Sequence, residues 1–291
     1  LLLLASGAEA FRICAFNAQR LTLPKVAREP VMDTLVLILA RCDIMVLQEV
    51  VDPTGRRLCG LDDSGPYSSL SSPLLGRSTY KEKYVYIYRS HKTQVLDSYV
   101  YDDKDDLFAR EPFVGQFSLP SKVLPSLVLV PLHTTPKAVE MELNALYDVF
   151  LDASQHWQSK DVILLGDFNA DCGSLTQKRL DSLVLRTQAG FQWAIADGVD
   201  TTVRASTHCT YDRIVLHGER CQGLLRSAAA FHFPRSFGLT EEEALNISDH
   251  YPVEVELNRA GHRLPCLSLA TVLLPSLLLL PLLPPQLGLV A

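Results

Sequence analysis

Residues 161–172 read DVILLGDFNADC, and this stretch decides how the chain folds. A short apolar run between turn-forming residues predicts a buried strand, and Gly166 at its end lets the chain bend without a side-chain clash. If the chain stays extended beyond Gly166, Asp167 and Asn169 project to the same side, where a carboxylate and an amide can hold a divalent cation and a phosphate oxygen. Gly-Asp after a strand is also an ordinary turn sequence, so the interpretation depends on how the other apolar runs end.

The composition is typical of a single large globular domain. The chain has 291 residues, 47% of them hydrophobic, which is ample for a core. The net charge of −6 gives no basic footprint for nucleic acid, so a polyanionic substrate would require cations or local arginines at the site. The seven scattered cysteines do not resemble a disulfide framework, and their odd number leaves at least one free, paired between chains or removed.

Both ends of the chain resemble processing signals. Residues 1–10 (LLLLASGAEA) match the remnant of a signal peptide with an A-x-A cleavage site, which makes 11–259 the single folded domain. Residues 260–291 form an apolar tail whose prolines argue against a spanning helix. Small residues before this tail resemble a glycosylphosphatidylinositol-anchor signal, with an unstructured tail as the alternative.

A secretory route is also indicated by the sequon at Asn246, which predicts a glycoprotein. We therefore expect the protein in the secretory pathway, in the endoplasmic reticulum, secreted, or at the cell surface through a lipid anchor.

Polar side chains stand at the edges of nearly all the predicted strands. Helical spacing over 29–40 and 138–157 separates some of these strands. Each polar residue taken alone has a structural explanation, but in sheet proteins the strand ends are where sites assemble. The residues concerned are Asn17, Glu49, Glu82, His133, Asp167, Asn169, Asp212, Asp249 and His250.

These residue types favour hydrolysis by water. The sequence has no G-x-S-x-G, no metal-type cysteine pair and no P-loop, which argues against the commonest covalent and nucleotide-cradling mechanisms. Of two histidines, one can take the proton of water and the other can protonate the leaving oxygen, each oriented by a carboxylate such as Glu82 or Asp212. The remaining carboxylates and amides then suit magnesium and phosphate: Glu49, Asp167, Asp249, Asn17 and Asn169.

The motifs together resemble deoxyribonuclease I and its relatives, in order from about Phe11 to Leu257. Within that family, residues 11–50 and 126–220 with the apolar tail are most similar to the membrane-anchored members. The motifs are CAFN at 14–17, LQEV at 47–50, LGR at 75–77 through Glu82, REP at 110–112, LGDFNADC at 165–172, YDR at 211–213 and SDHYPVEV at 248–255.

The resemblance implies a four-layer αββα sandwich of the endonuclease/exonuclease/phosphatase superfamily. It implies a monomeric endonuclease that cleaves DNA to 5′-phosphate ends with Mg²⁺ or Mn²⁺ and structural Ca²⁺. Under it, His133 pairs with Glu82 and His250 with Asp212 as acid–base pairs, and Glu49, Asp167 and Asp249 are metal ligands. The further roles are phosphate binding by Asn17, Asn169 and Arg110, DNA contact by Tyr80 and Arg77, and a disulfide between Cys172 and Cys209.

The chain departs from deoxyribonuclease I at positions that contact DNA. Val51 and Gln19 stand where that enzyme has arginines, which predicts weaker and less salt-sensitive DNA binding. Phe113 occupies a small-residue position of the actin-binding surface, so actin binding is not expected.

Residues 52–66 are too short for the surface helix that relatives have between Glu49 and Gly76. The shortened segment raises the alternative of a catalytically inactive surface protein. A second alternative is a superfamily phosphatase or phosphodiesterase with a non-DNA substrate, because such enzymes share the Asp-x-Asn and Ser-Asp-His elements.

Overall fold

The computed structural model describes residues 10–51 and 67–258. The expectations for the signal peptide, for residues 52–66 and for the C-terminal tail lie outside the described residues. Within the described ranges no helix has both the length and the apolar character needed to cross a membrane.

Two six-stranded sheets form the centre of the structure. The strands are β1 (Phe11–Leu21), β2 (Ile44–Val50), β3 (Tyr67–Ser71), β4 (Lys83–Arg89), β5 (Val95–Val100), β6 (Phe113–Ser118), β7 (Ser126–Pro131), β8 (Val162–Asp167), β9 (Phe191–Trp193), β10 (Asp212–His217), β11 (Leu225–Ala230) and β12 (Val253–Leu257). One sheet has the order β11-β12-β1-β2-β4-β3, and the other has the order β5-β6-β7-β8-β10-β9.

Helices cover the outer faces of the two sheets. They are α1 (Leu23–Val26), α2 (Glu29–Leu39), α3 (Val139–His156), α4 (Gln177–Ser182), α5 (Val184–Thr187), α6 (Glu219–Leu224), α7 (Phe233–Phe237) and α8 (Glu241–Leu245). The apolar face of α2 packs on the first sheet and that of α3 on the second. The four-layer αββα sandwich expected from the sequence is therefore confirmed.

The core between the sheets explains why the central strands contain so few polar residues. Alternate residues of β1, such as Ile13 and Ala15, face this core, whereas Cys14 and Phe16 face the helix layer. Both faces are covered, so β8 is buried along its whole length. Tyr86 is also fully buried and donates its hydroxyl proton to the Phe113 carbonyl at 2.7 Å.

The strand registers bring the polar strand ends to one edge of the sandwich. β1 and β2 are parallel, as are β7 and β8, so the members of each pair end on the same side. β10 runs antiparallel to β8, with Asp212 directly opposite Asp167. The chain topology therefore gathers residues that are far apart in the sequence.

The structure differs from the sequence-based expectations at the margins. The strands β3, β5, β9 and β11 were not predicted, because they are short or lie at sheet edges and show no clear apolar alternation. The strand expected from Arg110 begins only at Phe113, since Pro112 has no amide proton for the sheet.

The absence of a disulfide pattern in the sequence was misleading. The structure contains a Cys172–Cys209 disulfide, as the resemblance implies, and a second disulfide between Cys14 and Cys42 that the sequence analysis missed. Cys221 is free and buried. The second bridge joins β1 to the turn before β2, two segments that become neighbours only in the folded sheet.

Candidate active site

Two imidazole–carboxylate pairs face each other at the edge of the sandwich. The Nδ1 atom of His133 lies 2.5 Å from Glu82 Oε1, and the Nδ1 atom of His250 lies 2.8 Å from Asp212 Oδ2. A carboxylate at Nδ1 fixes the tautomer and leaves Nε2 to face the site. The structure therefore brings these four residues together in the pairs that the sequence predicts.

Asp167 lies between the two histidines. Its Oδ2 atom is 3.6 Å from Nε2 of His133 and 3.6 Å from Nε2 of His250. Gly166 allows this placement, because its φ of +134° is closed to L side chains and a Cβ atom there would lie 2.4 Å from the Leu132 carbonyl oxygen.

The amide of Asn17 links the two sheets at the site. Its Nδ2 atom donates to Glu49 Oε1 and to Asp167 Oδ2, both at 3.0 Å. Glu49 Oε1 is in turn 3.8 Å from Nε2 of His133. Asn17 therefore holds two of the predicted metal ligands around one point.

Bulges in the strands aim Glu49 and its neighbours at the site. Between β1 and β2 the pairing passes from Asn17 opposite Gln48 to Leu21 opposite Val50. Leu21 is four residues after Asn17, but Val50 is only two residues after Gln48, so β1 has two extra residues in a bulge. Gln19, Arg20 and Glu49 have positive φ values of 44°, 50° and 56°. Such backbone is costly for non-glycine residues and is found where a bulge re-aims side chains at a functional site.

The chain after Asp167 does not stay extended, which corrects the geometry expected for the Asp167–Asn169 pair. β8 ends at Asp167, and Asn169 has a φ of +46°. Asp167 Oδ1 accepts a hydrogen bond from the Asn169 backbone amide at 3.0 Å, and the Asn169 side chain donates to the Thr134 carbonyl at 3.3 Å. Asn169 still lies at the site, but a turn places it there.

Arg110 is held from two sides. Its Nε and Nη2 atoms donate to the His133 carbonyl at 3.0 and 2.8 Å, and Nε lies 3.1 Å from Glu82 Oε1. The side chain is 13% exposed. Its position suits an arginine that supports the His133–Glu82 pair as well as one that meets a phosphate.

The residues expected to contact DNA differ in how close they are to the centre. The Tyr80 hydroxyl lies 3.3 Å from Glu49 Oε2, at the site. Arg77 forms an ion pair with Asp106, in the segment between β5 and β6, with 3.0 Å between Nε and Oδ1. Asp249, which was predicted as a metal ligand and not as a DNA contact, comes within 3.9 Å of His250 Nε2 and is about one-third exposed.

Burial and charge shift the pKa values of the two imidazole–carboxylate pairs. Burial alone would lower the pKa of His250, but Asp212 and Asp167 raise it to about 10. Burial would also lower the pKa of His133, but the negative charge and hydrogen bond of Glu82 outweigh this effect and raise the pKa. Burial raises the pKa of the Asp212 carboxyl, against the attraction of His250. Without a metal ion, the neighbouring carboxylates therefore favour the charged form of both imidazoles.

The donor set fits a hard divalent cation. Such ions take oxygen ligands, and the carboxylates of Glu49 and Asp167 meet at the Asn17 amide. Asp167, Asp212 and His250 also offer ligand atoms within 4.8 Å of one another, although His250 Nδ1 and Asp212 Oδ2 are engaged with each other. Asp167 belongs to both sets.

Sequence reasoning missed several buried polar residues that brace the site. Gln48 bridges the sheets: Nε2 donates to the Leu132 carbonyl at 2.6 Å and Oε1 accepts from the Asp167 amide at 2.9 Å. Ser248 donates to the Asn17 carbonyl at 2.6 Å and accepts from the His250 amide at 3.0 Å. In the sequence, Gln48 and Ser248 are marked only by their position next to Glu49 and Asp249 in the motifs.

Glu142 was also missed, because it lies within a regular helix. This α3 residue is fully buried and accepts from the Thr135 amide at 2.8 Å and the Ala109 amide at 3.3 Å. It thus joins the loop after His133 to the loop before Arg110.

Comparisons with known proteins agree with this geometry. The profile described as "Endonuclease/Exonuclease/phosphatase family" matches residues 14–250. Deoxyribonuclease-1-like 1 of Sus scrofa is 81% identical over 100% of this chain and 94% of its own length. The Homo sapiens protein of that name is 78% identical over 95% and 94%, and Deoxyribonuclease-1 of Sus scrofa is 45% identical over 86% and 93%.

Solved structures with low sequence identity share the fold. D. rerio TDP2 complexed with a single-strand DNA product has a TM-score of 0.59 at 15% identity, covering 86% of this chain and 99% of that one. An endonuclease/exonuclease/phosphatase from Bacteroides vulgatus reaches 0.61 at 18% identity, covering 86% and 98%. The fold, the paired histidines and the close relatives agree: the chain belongs to the endonuclease/exonuclease/phosphatase family and, within it, to the deoxyribonuclease I family.

Proposed function

We propose that the protein is a metal-dependent endonuclease that hydrolyses DNA phosphodiester bonds to 5′-phosphate products. The observation that carries the proposal is the convergence of His133 and His250 on Asp167, with Nε2 of each imidazole 3.6 Å from the same carboxylate oxygen. Two proton-transfer groups on either side of one anionic point suit a displacement at phosphorus, in which one proton is removed and another is delivered.

In the proposed reaction His250 acts as the base and His133 as the acid. His250 takes a proton from water as the water oxygen bonds to phosphorus, and the bond from phosphorus to O3′ breaks. His133 gives its Nε2 proton to that O3′, so the 5′ side keeps the phosphate. Asp212 and Glu82 each hold an imidazole by Nδ1 throughout.

A divalent cation such as Mg²⁺ or Mn²⁺ would be held by Glu49, Asp167 and Asp249, and when bound it would neutralise charge that develops on the phosphate. Asn17 and Asn169 would polarise the phosphate, and Arg110 would add positive charge beside His133. We also propose that the protein binds Ca²⁺ in a structural role.

DNA is favoured over a small phosphate ester by the aromatic residue at the mouth of the site. Tyr80 is partly exposed, and its hydroxyl lies 3.3 Å from Glu49, so its ring can contact a sugar next to the scissile phosphate. A small phosphomonoester would not extend this far. The complete set of buried acid–base pairs also argues against an inactive surface protein.

Two disulfides and an exposed Asn246 support a route through an oxidising secretory compartment. We further propose that Asn246 carries a glycan and that the protein is a monomer. It would be either secreted or displayed at the cell surface through a lipid anchor.

Nicking of supercoiled plasmid tests the activity. The purified protein is assayed with Mg²⁺ and Ca²⁺ and with chelator, beside His133→Ala and the control His91→Ala, which alters an exposed histidine in a turn outside the site. Metal-dependent nicking that disappears only in His133→Ala supports the proposal. A folded protein that leaves the plasmid intact would refute it.

A further inference from the structure

The bulge in β1 presents an arginine at the mouth of the site. Arg20 is exposed, and its backbone amide donates to Glu49 Oε2 at 2.9 Å. Its guanidinium lies 5.6 Å from the centre of the Tyr80 ring, and the Tyr80 hydroxyl reaches the same Glu49 oxygen at 3.3 Å. Arg20 and Tyr80 are therefore both tied to a residue of the catalytic centre.

We propose that Arg20 binds a backbone phosphate beside the scissile one and so helps to select a polyanionic strand as the substrate. The proposal rests on the nuclease function proposed above and adds a residue to it. In the resemblance to deoxyribonuclease I the arginine position near Asn17 is filled here by Gln19, and the bulge offers a cation one residue later.

The charge of the site shows why such a cation matters. Glu49, Asp167 and Asp249 together with the two carboxylates of the catalytic pairs repel a polyanion, and the whole chain carries a net charge of −6. A guanidinium is suited to this task because it stays charged and its fork of donors matches phosphate oxygens.

Three other cations near the site are already engaged. Arg110 is bound to the His133 carbonyl and to Glu82, and Arg77 is paired with Asp106. Lys25 donates to the carbonyls of Ala18 and Gln19 at 2.7 and 2.5 Å. In the parts of the chain that the structure describes, the Arg20 guanidinium has the Tyr80 ring as its neighbour and no carboxylate partner.

The bulge keeps Arg20 in place without using its side-chain donors. Lys25 satisfies two carbonyl groups that the bulge removes from the sheet ladder, and the Gln19 amide donates to Asn17 Oδ1 at 2.9 Å. Contact with the face of an aromatic ring restrains a guanidinium and leaves its N–H groups free for a ligand.

The test compares the salt dependence of DNA cleavage in wild-type protein and in Arg20→Gln. Each neutralised phosphate on duplex DNA contributes about 0.9 to the slope of log affinity against log salt. We expect kcat/KM for plasmid nicking to fall about tenfold at low salt and the slope to decrease by about one. Turnover of bis(4-nitrophenyl) phosphate, a small diester that fills only the catalytic centre, should stay within about twofold.

Two further variants sharpen the result. Arg20→Lys keeps the charge and should recover most of the salt slope. Arg226→Gln removes an exposed arginine from the edge strand β11, outside the site, and should leave both substrates unaffected. A slope in Arg20→Gln equal to that of wild type, with the plasmid still nicked, would overturn the assignment of Arg20 alone. Wild-type protein that hydrolyses the small diester but never nicks plasmid would overturn the proposed nuclease function itself.

Discussion

His133 and His250 meet across a single oxygen atom, with Oδ2 of Asp167 lying 3.6 Å from Nε2 of each imidazole. The two histidines come from opposite sheets, one following β7 and one preceding β12. Any distortion that separates the sheets would therefore move the two imidazoles apart.

The two histidines should act as a unit. Replacing either with Ala should lower kcat for plasmid nicking by about 10²- to 10⁴-fold, because general acid–base catalysis contributes about that much per group. The double variant should be little worse than the single ones, since the loss of one partner already stalls the reaction. Single-turnover nicking rates measure this. Losses that multiply in the double variant would show that the histidines act independently.

The charge on His250 should depend on Asp212. In metal-free protein the imidazole has a pKa of about 10, raised against its burial by Asp212 and Asp167. Because this pKa lies above the unfolded value of about 6.5, the stabilisation from the charged imidazole is fully present below pH 6.5 and is lost as the pH rises through about 10. Asp212→Asn should lower the His250 pKa.

Histidine NMR titration of the chelated protein measures this shift. An unchanged His250 pKa in Asp212→Asn would contradict the pairing.

Glu142 should be needed to position His133 and Arg110. In Glu142→Gln an amide group replaces one of the oxygens that accept from the Thr135 and Ala109 amides, so a buried donor loses its partner. We expect the free energy of unfolding to fall by about 1–3 kcal/mol and kcat to fall more than KM changes. Glu140→Gln is the matched control, because this residue of the same helical turn is 40% exposed and pairs with Arg179.

Gly166→Ala should abolish the site. The added Cβ would lie 2.3 Å from Gln48 Nε2 and 2.4 Å from the Leu132 carbonyl oxygen, at a φ of +134°. Both the clash and the strained backbone destabilise the fold, by about 3 kcal/mol or more in chemical denaturation. Gly173→Ala has no atom within 4 Å of the new Cβ and should leave stability nearly unchanged. Equal stability of the two variants would show that the edge of the sandwich can relax.

Removal of the Cys14–Cys42 disulfide should destabilise the domain without changing its chemistry. The bridge spans 28 residues, and closing a loop of that size stabilises a protein by about 3.5 kcal/mol. In Cys14→Ala/Cys42→Ala the denaturant midpoint should fall while kcat at low temperature is retained. A drop in kcat at full folding would place this bridge in the catalytic machinery.

The site residues were easiest to predict from the sequence where a charged or polar residue follows an apolar strand. Asp167 after a buried strand and Glu49 after another stand out locally, and the parallel strand pairs explain why they meet. Glu142 could not be recognised, because a glutamate in the first turn of an amphipathic helix is normally solvated. The bulge at Gln19 and Arg20 was hidden as well, since positive φ values at non-glycine residues leave no signature in composition.

The edge strands and the Cys14–Cys42 bridge could not be predicted from the sequence for a different reason. β11 contains mostly small and exposed residues, so its position follows from pairing with β12 rather than from its own pattern. Cys14 and Cys42 become neighbours only when β1 and β2 align. Both features depend on pairing between segments that are far apart in the chain, and one sequence alone does not show which segments pair.

The burial of Ser248 limits when the glycan proposed at Asn246 could be attached. Its hydroxyl belongs to the sequon of Asn246, yet in the folded protein the residue has no exposed surface and donates to the Asn17 carbonyl. An enzyme that reads the sequon must reach this hydroxyl, so a sugar can be attached only while β12 and the segment before it have not yet docked. If that proposed glycan is attached, the Ser248 hydroxyl is first part of the sequon that the enzyme recognises on the nascent chain and later braces His250 in the folded protein.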